Sequence, residues 1–368
     1  MALAKVHEWE RGSTYAGELP RGCSLCARGS KMVLLVTGRC SSGCFYCPLS
    51  EAKKGRDVSY ANERPIDGVE EAIEEARTID AEGTGVTGGD PVDAMVRTTG
   101  MIYSLKAAFG KGHHVHLYTA RPLGEEELRE LRNAGLDEVR FHPPVDALDD
   151  VEGAGYADAV ARATAMGMEA GYEVPVLPDR EDELRAFLET LAGSEDRPFV
   201  NLNELEYSTS NADELRTREF LVRDDVSAAV AGSEDLGRRL VEEFATSGLR
   251  VHYCSAAFKD GVQLRRRLGR RAKNVVRPHE LVTEDQTLLK GVVETDDPEG
   301  VARALQTRFD VPPDLMVVDA EQGLLELAPW VIDELEEHID GDCYLVEEYP
   351  TWDRLEVERT PVRLLKDL

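Results

Sequence analysis

The sequence holds no apolar run near the roughly 18 residues that a membrane-spanning helix needs. Its first residues, Met1 to Gly12, mix charges instead of building a signal-peptide core. Both absences predict a cytoplasmic chain with no membrane partner. Aromatic residues are scarce at 6%, so rows of stacking platforms for nucleic-acid bases are not evident. Positive charge is short as well: 43 Lys and Arg stand against 71 Asp and Glu, for a formal net charge of −28. The acidic residues run along the whole chain and arginine outnumbers lysine. This is a halophilic composition, a surface kept solvated in a salt-rich cytoplasm, and it says little about substrate. No long internal repeat or low-complexity linker is present. With 42% hydrophobic residues in 368, the chain can bury a large core and disorder is not expected.

Cysteine is infrequent but crowded: five of seven fall between Cys23 and Cys47. An odd count in a reducing cytoplasm disfavours structural disulfides, and clustered thiols there suggest metal. The run from Arg39 through Cys40, Cys44 and Cys47 to Pro48 places thiols at C-x3-C-x2-C, directly after the apolar run MVLLVTG. A loop this compact, with Gly43 inside it, can wrap three thiolates around one face of a 4Fe-4S cluster and leave one iron open. A zinc site or buried free thiols is the bland alternative, but zinc prefers four protein ligands and usually pairs C-x2-C units.

Downstream, short apolar runs alternate with helical patterns, the rhythm of repeated βα units. Strands are expected at Met32–Thr37, Gly85–Thr87, His114–Thr119, Glu138–His142, Glu169–Val176, Phe199–Glu204 and Leu249–Tyr253. Helices are expected at Gly124–Ala134, Asp158–Met166, Arg180–Leu191 and Glu234–Thr246, mostly with acidic residues near their starts. The fold class is therefore α/β, a partial or full (β/α) barrel. Four regions follow: an N-terminal segment 1–30 with a C-x2-C, a barrel over 31–258, a basic linker helix over 259–278, and a small α+β domain over 279–368. In the last, the pattern of strand, helix, two strands, helix, strand resembles a ferredoxin-like βαββαβ unit. The polar segment Glu206–Val226 reads as an insertion or lid.

C-x3-C-x2-C with an aromatic residue before the last cysteine resembles the signature of the radical S-adenosylmethionine (SAM) enzymes. Gly88-Gly89-Asp90-Pro91, at the end of the next strand, resembles that family's GGEP element, with Asp in place of Glu. The resemblance covers roughly Lys31 to Phe258 and implies a barrel with both motifs at the C-terminal ends of its strands. It implies that Cys40, Cys44 and Cys47 ligate the cluster, that Tyr46 lies by the adenine, and that the GGDP segment holds the methionyl end. It further implies that the reduced cluster cleaves SAM to methionine and a 5′-deoxyadenosyl radical, which takes hydrogen from a substrate. An electron donor of ferredoxin or flavodoxin type follows as a partner. Cys23-Ser-Leu-Cys26 and CFYCPLS further resemble archaeal members related to the pyruvate formate-lyase activating enzyme.

Other residues are candidates from their positions. Cys23, Cys26 and Cys254 could share a second cluster or a zinc ion, with Cys343 or His252 as fourth ligand, or could be ordinary buried thiols. His116 with Tyr118, Arg140 with His142, and Asn201 with Asn203 are same-face strand pairs that could touch SAM or substrate. The stretch KDGVQLRRRLGRRAKNVVRP is basic within an acidic protein: a patch for RNA or another phosphate, or a helix ion-paired between domains. Three readings of function follow: an activase for a glycyl radical on a partner protein, an RNA- or nucleotide-modifying enzyme, or a non-catalytic iron–sulfur or zinc scaffold or redox sensor.

Overall fold

The structure, a computed structural model, describes residues 5–224 and 227–363. The chain divides into two compact units, Met1–Leu264 and Arg265–Leu368.

The first unit is built on seven parallel strands: β1 Lys31–Leu35, β2 Gly83–Thr87, β3 His114–Thr119, β4 Glu138–Phe141, β5 Glu169–Val176, β6 Phe199–Glu204 and β7 Arg250–Cys254. They lie side by side in sequence order, each pairing with the next. Helices α1 Val69–Thr78, α2 Met95–Phe109, α3 Glu125–Ala134, α4 Tyr156–Ala165, α5 Glu181–Gly193 and α6 Ser233–Phe244 fill the crossovers. The sequence explains these helices. In α5 Leu184, Phe187, Leu188 and Leu191 fall on one stripe and are all buried. In α3 three glutamates occupy the first turn, where the helix dipole favours them, and Gly135 ends the helix at φ 110.

The barrel is partial. The outer edge of β1 pairs with an antiparallel hairpin, Ser59–Ala61 and Arg64–Ile66, and that of β7 with antiparallel Thr14–Ala16. Consequently β1 and β7 do not pair with each other, so the closed alternative does not hold. The N-terminal helix Arg21–Ala27 packs against β1, β2 and β3.

The second unit carries β8 Leu288–Glu294, α7 Pro298–Phe309, β9 Met316–Asp319, β10 Leu324–Leu327, α8 Pro329–Leu335 and β11 Asp342–Glu348. Its antiparallel order, β9-β10-β8-β11, is the expected βαββαβ arrangement, extended by Glu356–Pro361 beside β11. Val293, Leu305, Leu325, Leu327 and Ile332 form its core. Cys343 is buried in that same core.

The basic stretch is helical without a break from Lys259 to Val275, and the division between the two units falls within it. Lys259–Leu264 is a π-helical turn of the first unit, and the helix Arg265–Val275 belongs to the second. Within the second unit Arg265 reaches Asp285, Arg277 reaches Glu326, and Arg271 is buried. Among the described residues, no helix is long and apolar enough to cross a membrane.

Candidate cluster and cofactor site

Because β1 and β2 are neighbours in register, Leu35 opposite Thr87, the loops that follow them are forced together. The cysteine loop leaves β1 and the GGDP segment leaves β2. Their backbones touch: Gly89 N–H donates to Thr37 O at 2.7 Å and Asp90 N–H to Arg39 O at 2.7 Å. A Cβ on Gly88 would fall 2.4 Å from Thr37 O, and one on Gly89 2.0 Å from Arg39 O. Only glycine allows that approach.

A cavity of about 560 Å³ opens beside this contact. Cys40, Cys44 and Cys47 line it with Tyr46, Gly89, Tyr118, His142, Glu173, Asn203, Glu206 and Lys259. The donor set fits an iron–sulfur cluster: the three thiols are free, and no other lining residue is a cysteine. Cys40 is exposed, whereas burial pushes the Cys44 thiol up.

Asp90 is not among the residues lining the cavity. It is buried, and its carboxylate accepts from Val92 N at 3.1 Å, Thr119 Oγ1 at 3.0 Å and Ala120 N at 2.9 Å. Its side chain fastens the end of β2 to the end of β3. Pro91 is buried behind it.

Tyr46 and His142 form one unit. His142 Nδ1–H donates to Glu173 O at 2.7 Å, and burial pushes the ring's pKa down, so the neutral ring presents Nε2 to the Tyr46 hydroxyl at 2.9 Å. Each same-face pair is split by height. Tyr118, His142 and Asn203 line the cavity, and His116, Arg140 and Asn201, two residues earlier on the same strands, lie below it.

Glu173, which the sequence reading passed over, joins the two levels. Arg140 Nη1 donates to its Oε2 at 2.9 Å, Asn201 Nδ2 to Oε2 at 2.7 Å and Asn203 Nδ2 to Oε1 at 2.5 Å. Burial pushes Glu173 toward the neutral acid. Arg140 and the two amides outweigh that and hold the carboxyl below its usual range. A lone charge inside AGYEVPV, on an otherwise buried strand, was the available signal.

The floor is a buried polar network in which His116 Nδ1 and His252 Nε2 have no partner among the described residues. Arg140 Nε also donates to Glu138 Oε1 at 2.5 Å, Gly22 N to Glu138 Oε2 at 2.9 Å, and Lys31 Nζ lies 3.0 Å from His114 Nδ1. Cys23 belongs here: its sulfur accepts from Asn201 Nδ2 at 3.2 Å and Arg140 Nη2 at 3.4 Å. Cys254 instead packs with Trp9, Ala27, Phe258 and Val262. Among the described residues, the Cys23, Cys26 and Cys254 sulfurs do not all lie within 4.8 Å of one another, and neither do those of Cys40, Cys44 and Cys47. Among the described residues, His114, His116 and Glu138 are the one group that close. Lys31 and Arg140 already neutralise that group, which reads as part of the floor's charge balance.

Comparison with known proteins follows this geometry. The model of the radical SAM superfamily matches residues 34–191, and that of a domain of unknown function, DUF8061, matches residues 286–362. The chain is 38% identical over 361 residues to a protein of Methanocaldococcus jannaschii provisionally named a glycyl-radical enzyme activating enzyme, covering 94% of this chain and 93% of that one. Among solved structures it is similar to methylornithine synthase, at 13% identity over 63% of this chain and 72% of that one, TM-score 0.41. It is also similar to the FeFe-hydrogenase maturase HydG of Carboxydothermus hydrogenoformans, at 14% identity, 62% and 58% coverage and TM-score 0.39.

Proposed function

The chain belongs to the radical SAM superfamily, and from that membership we propose that it activates a partner protein by removing a hydrogen atom, as the name of its Methanocaldococcus relative suggests. One observation carries the reading: three free thiols and the Gly89 backbone border the same cavity at the ends of β1 and β2. Cys40, Cys44 and Cys47 would hold a 4Fe-4S cluster there, with SAM on the open iron. When bound, the pair supplies one-electron reductive cleavage of SAM and an oxidant able to take hydrogen from carbon.

The chain's own residues bind and orient. Gly89 presents backbone to the methionyl end, while Asp90 keeps that backbone fixed against β3. Tyr46, its hydroxyl held by neutral His142, keeps one orientation at the adenine side. Glu173 offers a fixed anion on the far side, toward the substrate. Cys40 is exposed, so a donor of ferredoxin or flavodoxin type reaches the loop from outside. RNA is the weaker substrate, because Arg265, Arg271 and Arg277 are engaged or buried within their own unit.

Anaerobic reconstitution followed by dithionite and SAM should yield 5′-deoxyadenosine, and adding cell extract should leave an organic radical on a protein fraction. An iron-loaded enzyme that makes no 5′-deoxyadenosine would sink the catalytic reading. Deoxyadenosine with no protein radical, together with one nucleoside altered in RNA of deletion cells, would move the substrate to RNA.

A further inference from the structure

The cysteine loop has little order of its own: Cys47 N–H donates to Cys44 O at 3.2 Å, and Ser42 N–H meets Cys40 Sγ at 3.4 Å. It is gripped instead by residues that follow β6. Asn211 there is fully buried at 0% exposure. Its amide nitrogen donates to Tyr46 O and to Glu206 O, each at 3.0 Å, and its Oδ1 accepts from Ser208 N at 2.7 Å. Ser210 Oγ donates to Cys47 O at 3.2 Å. The Arg218 guanidinium lies 3.8 Å over the Phe45 ring. Three successive loop residues, Phe45, Tyr46 and Cys47, are therefore held from outside, and none of these contacts uses a thiol.

We propose that Asn211 is a positioning residue for the cluster. It fixes the Tyr46–Cys47 backbone in ligating geometry and ties that backbone to Glu206 on the far wall of the cavity. This rests on the reading that Cys40, Cys44 and Cys47 hold the cluster. Asparagine suits the place because one planar group offers two donors and an acceptor, and all three sites are used. Glu206 extends the tie, since its carboxylate meets Lys259 Nζ at 2.5 Å and both side chains line the cavity. A ligand on that wall would thus bear on the cluster loop through Asn211. The polar segment after β6 is accordingly a brace for the loop.

The test compares full-length wild type with Asn211→Asp, which keeps the acceptor but turns an oxygen toward two carbonyls. In iron-free protein, hydrogen exchange over residues 44–48 should quicken on the order of ten-fold, the consequence of losing a buried hydrogen bond. In reconstituted protein, iron should pass to a chelator faster by a similar factor, and the EPR spectrum and midpoint potential of the reduced cluster should shift. The paired variant Ser210→Ala with Arg218→Gln alters only the outer grips and should move the same readouts in the same direction by less. Unchanged exchange, EPR and potential in both variants would overturn the proposal. A wild type that binds no iron would refute the underlying cluster reading instead, and exchange in the iron-free protein would still decide on the grip.

Discussion

The two ends of the parallel sheet use the same strands for opposite purposes. At the C-terminal end, Tyr118, His142 and Asn203 border an open cavity with three free thiols. Two residues earlier, His116, Arg140 and Asn201 lie in a floor sealed by the helix Arg21–Ala27, where Arg140 meets both Glu138 and Glu173. One step of the strand's two-residue period separates residues that border a cavity from residues engaged mostly by one another, with His116 Nδ1 and His252 Nε2 left buried without a partner among the described residues. Polarity inside a barrel is thus no mark of a binding site until each group's partners are known.

Substitutions can break the comparison in either direction. The largest effect is expected from replacing Cys40, Cys44 and Cys47 together by Ala: cluster iron should be lost entirely, while the apoprotein's stability changes by no more than about 1 kcal/mol, since none of these residues is deeply buried. Metal analysis beside denaturant unfolding checks both halves. Arg140→Met should do the reverse. It strands two buried carboxylates, Glu138 and Glu173, and should cost about 3–5 kcal/mol of stability with the thiols untouched; a urea midpoint equal to wild type would contradict the sealed floor.

Acid should find the floor first. Burial pushes His252 from 6.5 down to about 4, with Asn201, Glu173, Arg140, Lys259 and Trp9 around it, and His113 also to about 4. The unfolded chain binds protons that the folded chain refuses, so stability is complete above about 6.5 and is lost as pH falls toward 4. Thermal midpoints across that range should drop, and His252→Gln should flatten the slope; identical slopes would exclude His252 as a source. The smallest effect belongs to Tyr46→Phe, which leaves His142 Nε2 without its donor and should cost about 0.5–1.5 kcal/mol. Melting with and without SAM would show whether the loss appears chiefly in the bound state.

Much of this architecture was legible in the sequence because its causes are local. The runs His114–Thr119, Glu169–Val176 and Phe199–Glu204 are strands over those bounds. The C-x3-C-x2-C loop and GGDP were found because each is a contiguous signal. What escaped depends on distant partners. That the Cys23 sulfur is engaged by Arg140 and Asn201 could not be read locally, since both lie more than a hundred residues away. Asp90 looked like a ligand contact until Thr119 and Ala120 were seen to occupy its carboxylate. Asn211 carried no local mark, since its partner at Tyr46 lies 165 residues earlier.

The interlock between the two motif loops has a consequence for mutational tolerance. It is made of main chain: Gly88 abuts Thr37 O and Gly89 abuts Arg39 O, and within the cysteine loop Gly38 abuts Lys53 O, each too close for a methyl group. Saturation mutagenesis at these three positions should therefore return glycine alone among iron-binding clones. Gly43 is different, with φ 64 and open space around its missing Cβ, so asparagine should survive there as well. Exposed Ser41 and Ser50 should accept most residues. A library built on the cysteine motif alone would then vary the side chains that matter least and overlook the carbonyls that set its shape.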